Sequence, residues 1–235
     1  MFPKRYWFVL LTYILVQLST LIFVPLIHIV FNIDIIVASI YWYITSFIIG
    51  AIIIILIMRI DFKLEKDNSD ISLGKILLWI FIGFWMALFA QVIATLIEIS
   101  VFNIEVGSEN TDIIVNLARM NAVFIIIPAI VGPILEELVF RKVIFASLHK
   151  KVNFFWAALI SSIIFAILHF DFSHLLVYIT MGFVFAFLYI KTKRIIVPMI
   201  VHMALNSYAV IGQLLIDPEE LERMRQQLTL ILFGS

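Results

Sequence analysis

Seven apolar runs divide the chain, at residues 7–30, 35–58, 76–102, 120–148, 154–170, 175–190 and 195–216. A helix needs about 20 apolar residues to cross the hydrocarbon core of a bilayer. A backbone in lipid must also satisfy its own hydrogen bonds, so runs of this length dictate helices. The pattern predicts an all-α, polytopic membrane bundle of about seven transmembrane helices, with the fifth and sixth runs short enough to be partly re-entrant. Composition agrees: 64% of the 235 residues are hydrophobic and 14% charged, far from the balance of a soluble domain. Cysteine is absent, which excludes disulfides, thiolate metal sites and a Cys nucleophile. Basic and acidic side chains number 16 each, and without a basic stripe the chain carries no signature of a nucleic-acid partner. Lys4 and Arg5 precede an apolar run longer than a signal-peptide core, with no small-residue cleavage site, so it reads as a retained first span.

The distribution of Lys and Arg orients the bundle. Lys4, Arg5, Arg59, Lys63, Lys66, Lys75, Arg141, Lys142, Lys150, Lys151, Lys191, Lys193 and Arg194 fall on the face that holds the N-terminal tail, whereas Arg119, Arg223 and Arg225 fall on the other. The N-terminus is expected to be cytoplasmic and, with seven spans, the C-terminus external. Three regions follow: a three-span N-terminal part (1–116), a four-helix core (117–216) and an amphipathic tail (217–235). The tail opens Asp217-Pro218-Glu219-Glu220, an N-cap candidate followed by Pro and acids in the first turn. Leu221, Met224, Leu228 and Ile231 then recur at helical spacing, as in a helix lying at the interface.

Ionisable side chains inside the apolar runs need an explanation, since each costs about 3 kcal/mol at membrane depth unless paired or hydrated. Glu136 and Glu137 sit in Ile-Leu-Glu-Glu-Leu-Val-Phe-Arg, which ends at Arg141. Phe165 and His169, then His202 and Asn206, are each spaced i, i+4, which puts both members of a pair on one helix face. Glu137 and Arg141 have the same spacing with the acid first, the favourable order for an ion pair. Glu136 lies about 100° around the helix, free to face the histidines. Glu136 and His169 are nearly equidistant from the turn at 151–153, so an antiparallel hairpin brings them to one height. His202 joins them if the fourth and fifth helices project about two turns into the cytoplasm. Gly132-Pro133, one turn before Glu136, interrupts the backbone hydrogen bonds there, either as a packing kink or as an entry for water. His28 and Glu98 fall near outer ends, where interfacial exposure accounts for them. His149 belongs to a cytoplasmic turn, and Asp171 and His174 to a solvated external connection. Other intramembrane chemistries lack their residues: there is no His-Glu-x-x-His helix, no Gly-x-Ser-Gly turn and no pair of intramembrane aspartates.

The order Glu-Glu-x-x-x-Arg, Phe-x-x-x-His, His-x-x-x-Asn resembles the CPBP family, the CAAX proteases and bacteriocin-processing enzymes also called the Abi family. The resemblance covers residues 120–210. It implies an intramembrane endopeptidase in which Glu136 and His169 activate the attacking water, His202 and Asn206 stabilise the oxyanion, and Glu137, Arg141 and Phe165 support them. Family members have also been described as metalloproteases, which would make Glu136, His169 and His202 zinc ligands, a sensible N/O set. The metal-free glutamate base is preferred, because Asn206 fits oxyanion donation better than zinc ligation, and no cofactor is then required. The expected partners are the bilayer and a membrane-associated peptide or small precursor. The short chain suggests a bacterial member in the cell membrane, acting in peptide, bacteriocin or pheromone maturation or in CAAX-type processing. The opposing class is a non-catalytic immunity scaffold or a transporter. A transporter should show broken helices repeated in two halves, whereas the polar groups here cluster in one.

Overall fold

The computed structural model describes residues 2–67 and 70–233. Among these, helix is the only regular structure, as a lipid-embedded backbone requires. The helices are α1 (Lys4–Phe31), α2 (Ile35–Asp67), α3 (Leu73–Phe102), α4 (Glu109–Met120), α5 (Ala122–His149), α6 (Phe154–Ile167), α7 (Leu175–Thr192), α8 (Ile196–Leu215) and α9 (Pro218–Phe233). Six of the seven expected spans are helices long and apolar enough to cross a bilayer. The fifth, α6, has 14 residues and is about 21 Å long at 1.5 Å per residue. It still runs between the two ends of the bundle. The tail helix α9 forms where its capping signals place it; residues 234 and 235 of the expected tail lie outside the described residues.

The polar helix α4 is an addition to the sequence reading, and the expected boundary at 116/117 falls inside it. Its signals are local. Ser108 caps it by accepting from the Thr111 N–H, Glu109 and Asp112 occupy the first turn, and Arg119 lies in the last, each with the sign that the helix dipole favours. Arg119 donates to the carbonyls of Gln213 and Ile216 at the end of α8. Asp112 holds Arg225 of α9 through two hydrogen bonds of 2.9 and 2.6 Å. That pairing raises the Arg225 guanidinium further above its ordinary value.

Helix α5 is the axis of the fold. In its most apolar stretch 61% of residues are buried, against 11% in α1 and α3, so the other helices shield it from lipid. Its Leu135, Leu138, Phe140, Val143 and Phe145 are all fully buried. They centre the larger apolar cluster, to which α1, α2 and α6 contribute. A smaller cluster of Ala87, Met181, Phe185, Leu188, Val201 and Leu205 joins α3, α7 and α8. Where α6 crosses α7, a side chain at Gly182 would sit 2.1 Å from the Ser162 hydroxyl; a small residue lets the helices meet there.

Carboxylates fasten both ends of the bundle. At the end where α1 begins, Glu65 of α2 takes the Lys142 ammonium of α5, the Tyr189 hydroxyl of α7 at 2.9 Å and the Ile195 N–H at the start of α8 at 3.0 Å. Arg5 and Tyr6 of α1 bind Asp61 of α2 one turn away. At the opposite end Glu98 of α3 faces His174 Nδ1 at 2.9 Å and accepts the Val177 N–H at 3.1 Å. Val177 is in the first turn of α7, whose free N–H groups need acceptors.

Glu98 therefore corrects the expectation of interfacial exposure. It is buried, because it serves as the cap of another helix. Asp171 and His174 are not free either: Asp171 accepts from the Ser108 hydroxyl at 2.7 Å, and His174 Nε2 donates to the Gly107 carbonyl at 2.7 Å. Replacing Glu98 by Ala is expected to destabilise the fold by about 1–2 kcal/mol, the range of a lost helix cap. Glu98→Gln, which still accepts the Val177 N–H, should recover part of it. Thermal unfolding of both variants in detergent tests this, and equal melting of Glu98→Ala and wild type would contradict it.

Candidate functional site

The backbone of α5 departs from α-helix at the residues that matter. Segments Ile127–Val131 and Glu137–Phe145 are π-helical, flanking an α-helical turn at Gly132–Glu136. In the first segment hydrogen bonds run from residue i to i−5, as from the Gly132 N–H to the Ile127 carbonyl. The next donor in that register would be residue 133 and its acceptor the Pro128 carbonyl. Pro133 has no N–H. The Asn206 carboxamide of α8 takes its place, donating to Pro128 O at 3.0 Å. The Gly132-Pro133 break is thus bridged from a neighbouring helix, and the second N–H of Asn206 is left over.

One turn before Asn206, His202 is enclosed on α8, with Phe185 stacked on its ring at 4.5 Å. It meets both carboxylates. Its Nδ1 donates to Glu137 Oε1 at 3.1 Å, and its Nε2 lies 3.6 Å from Glu136 Oε2. The first is a hydrogen bond, whereas the second is too long for one. Buried Glu137 faces inward, while the Glu136 side chain keeps 17% of its surface exposed. The expected arrangement, with Glu137 serving Arg141 and Glu136 alone facing the histidines, is therefore incomplete. Adjacent acids flank one imidazole from two sides.

The Glu137–Arg141 contact is present, with Nε 3.4 Å from Oε2. Arg141 is 1% exposed. Its guanidinium lies over Phe165 at 4.5 Å, Phe185 at 5.2 Å and Phe140 at 6.0 Å. None of its nitrogens makes a well-directed hydrogen bond, so charge and three aromatic faces hold it. Phe165 thereby gains a definite place: its ring touches Arg141, His169 and His202.

His169 corrects the expected span 154–170. Helix α6 ends at Ile167, and His169 lies in the turn beyond it, next to Phe170 with φ of 54°. Its backbone N–H goes to Ala166 O, so its side-chain Nδ1 donates to the Phe165 carbonyl at 2.8 Å. A carbonyl only accepts, so Nδ1 carries a proton, and in the neutral ring Nε2 then keeps its lone pair. Tyr178 of α7 packs on it at 4.2 Å; its sequence signal was a polar-tipped ring inside an apolar run, which needs a partner.

The heights match as the sequence reading required. Lys142 and the Ile195 N–H share the carboxylate of Glu65 and so lie level. Helix α5 continues seven residues past Lys142 to His149, about 10 Å or two turns. Among the described residues no three His, Asp or Glu side chains converge as metal ligands. The bonds from His202 Nδ1 to Glu137 and from His169 Nδ1 to the Phe165 carbonyl leave the Nε2 atom of each ring for other partners, as the outer-shell bonds of a metal-ligating histidine also do.

Residues 118–208 match the family model described as type II CAAX prenyl endopeptidase Rce1-like. The chain is 44% identical over 240 residues to YdiL of Bacillus subtilis (strain 168), a protein named as a membrane peptidase, covering 98% of both chains. It is 36% identical over 241 residues to the membrane-embedded CAAX protease MroQ of Staphylococcus aureus (strain USA300), covering 97% of both. No solved structure matches the chain. The family match spans all of Glu136, Glu137, Arg141, Phe165, His169, His202 and Asn206, and relatives named for peptidase activity align from end to end: the chain belongs to the CPBP family of membrane-embedded CAAX proteases.

Proposed function

We propose that the chain is an endopeptidase that hydrolyses a peptide bond in a membrane-associated peptide or small precursor, with Glu136 as the general base and no metal in the reaction. The observation that carries this reading is the pair of carboxylates on the two nitrogens of His202. Glu137 fixes the ring by accepting Nδ1–H, as the carboxylate of a carboxylate–histidine pair does. Glu136, the more exposed acid, takes a proton from water while the water oxygen bonds to the carbonyl carbon. The electron pair of the C=O bond moves onto oxygen. As the C–N bond breaks, the proton held by Glu136 passes to the leaving nitrogen. His169, with Nε2 free, is the second acceptor for the water. The unused N–H of Asn206 and the His202 imidazole are the donors for the oxyanion; such donors are commonly the largest electrostatic contribution to amide hydrolysis.

The basic end of the bundle, where α1 begins, is the cytoplasmic side. The relatives from Bacillus and Staphylococcus support a bacterial cell-membrane protein whose substrate is a membrane-associated peptide or leader-bearing precursor. Purified protein incubated with membrane-associated peptides should give defined cleavage products by mass spectrometry. Chelator should leave the rate within about twofold, and elemental analysis should find no stoichiometric zinc. A wild-type protein that cleaves nothing defeats the reading. Zinc that is stoichiometric in wild type and lost in His169→Ala and His202→Ala would keep the protease and remove the metal-free mechanism.

A further inference from the structure

His169 sits where its own helix cannot hold it. Helix α6 has ended, the residue lies in a turn, and a single hydrogen bond from Nδ1 to the Phe165 carbonyl ties the ring to the backbone. One bond leaves an imidazole free to tilt. Its two faces are therefore what set its pose: Phe165 meets it edge-on at 4.4 Å, and Tyr178 lies on it at 4.2 Å and 33°. Phe165 lies in the last turn of α6, directly before the turn that carries His169, so it moves with that turn. Tyr178 belongs to α7 and is tethered at its other end. Its hydroxyl accepts from the Asn110 carboxamide of α4 at 3.3 Å and donates to Asp171 at 3.4 Å, and Asp171 in turn accepts from Ser108, the cap of α4.

We propose that Tyr178 is a positioning residue for the reaction: its ring, tethered through its hydroxyl to Asn110 and Asp171, holds the His169 imidazole in the one pose that hydrolysis uses. The polar helix α4 thus reaches the His169 ring through an aromatic side chain. This rests on the hydrolytic reading of Glu136 and His169. A misplacement of about 1 Å in a reacting group lowers turnover by as much as 10²-fold, which sets the scale of the effect.

The test uses the full chain in detergent or nanodiscs, with 15N-labelled histidine and the His169 signals assigned by His169→Gln. Wild-type His169 should appear as the single Nδ1–H tautomer. Tyr178→Leu should show a mixture of tautomers and a kcat lower by about tenfold or more, with KM within about twofold. Tyr178→Phe keeps the ring and should restore the single tautomer, with kcat about threefold below wild type. Asn110→Ala, which removes one of the two bonds to the hydroxyl and leaves that to Asp171, should lower kcat by about twofold, less than Tyr178→Phe does. A folded Tyr178→Leu with wild-type kcat and an unchanged tautomer overturns the assignment. Should that variant fail to fold, wild-type kcat in both Tyr178→Phe and Asn110→Ala overturns it instead. A wild-type protein without turnover would remove the hydrolytic reading alone, since the imidazole spectrum still reports whether Tyr178 holds the ring.

Discussion

Glu136→Gln is expected to lower peptide hydrolysis by about 10² or more while leaving the melting temperature within a few degrees of wild type. The carboxamide keeps the shape of the side chain but cannot accept a proton from water. The two acids should separate in this experiment. Glu136 makes no hydrogen bond to His202, at 3.6 Å, and retains contact with its surroundings, so its loss removes chemistry and little structure. Glu137 is completely buried and bonded to His202 Nδ1. Glu137→Gln should therefore impair both turnover and stability, because a neutral amide balances neither Arg141 nor the ring. Matched assays on equal amounts of folded protein decide the matter. Turnover of Glu136→Gln within threefold of wild type would end its assignment as the base.

The spans and the three i, i+4 pairs were legible because lipid leaves the backbone few choices and because ionisable residues stand out in apolar sequence. The matched heights were legible too, as they depend only on rise per residue and turn position. What the sequence did not show was the backbone between those landmarks. The π-helical segments of α5 change the angle between Glu136 and Glu137, and a 3.6-residue projection cannot anticipate that both acids reach one imidazole. The site of Asn206 follows from Pro133, but only once the register i to i−5 is known. Read as α-helix, Pro133 orphans a different carbonyl.

The misplacement of His169 has a related cause. Phe165-Ala-Ile-Leu-His169 continues the apolar pattern past the helix end, and hydrophobic periodicity carries no stop signal of the Gly or Asn type there. The helix stops because the His169 side chain, rather than its backbone, caps the Phe165 carbonyl. Glu98 and Asp171 escaped for another reason. A lone acid near the end of a span looks solvated until the helix whose N–H it accepts, or the hydroxyl that binds it, is brought beside it. Those partners lie tens of residues away in the chain.

Arg141→Ala should be the most destabilising single change at the site, by about 3–5 kcal/mol, the cost of leaving a buried charge without its partner. Glu137 would keep only His202. The guanidinium also fills the space between Phe140, Phe165 and Phe185, so its removal opens a cavity among rings that define the places of both histidines. Unfolding in detergent is expected roughly 10 °C below wild type. Arg141→Lys should recover only part of this, because a compact ammonium does not lie flat on aromatic faces as the guanidinium does. The double variant Glu137→Gln/Arg141→Met removes both charges and should regain most of the stability, as buried ion pairs replaced by apolar groups often do. It should remain inactive, since His202 then lacks the carboxylate that fixes its Nδ1. A double variant that melts like wild type and still cleaves peptide would show that the ion pair orients nothing. Inactivity of Arg141→Ala with unchanged melting would move Arg141 from the support of the site into its chemistry.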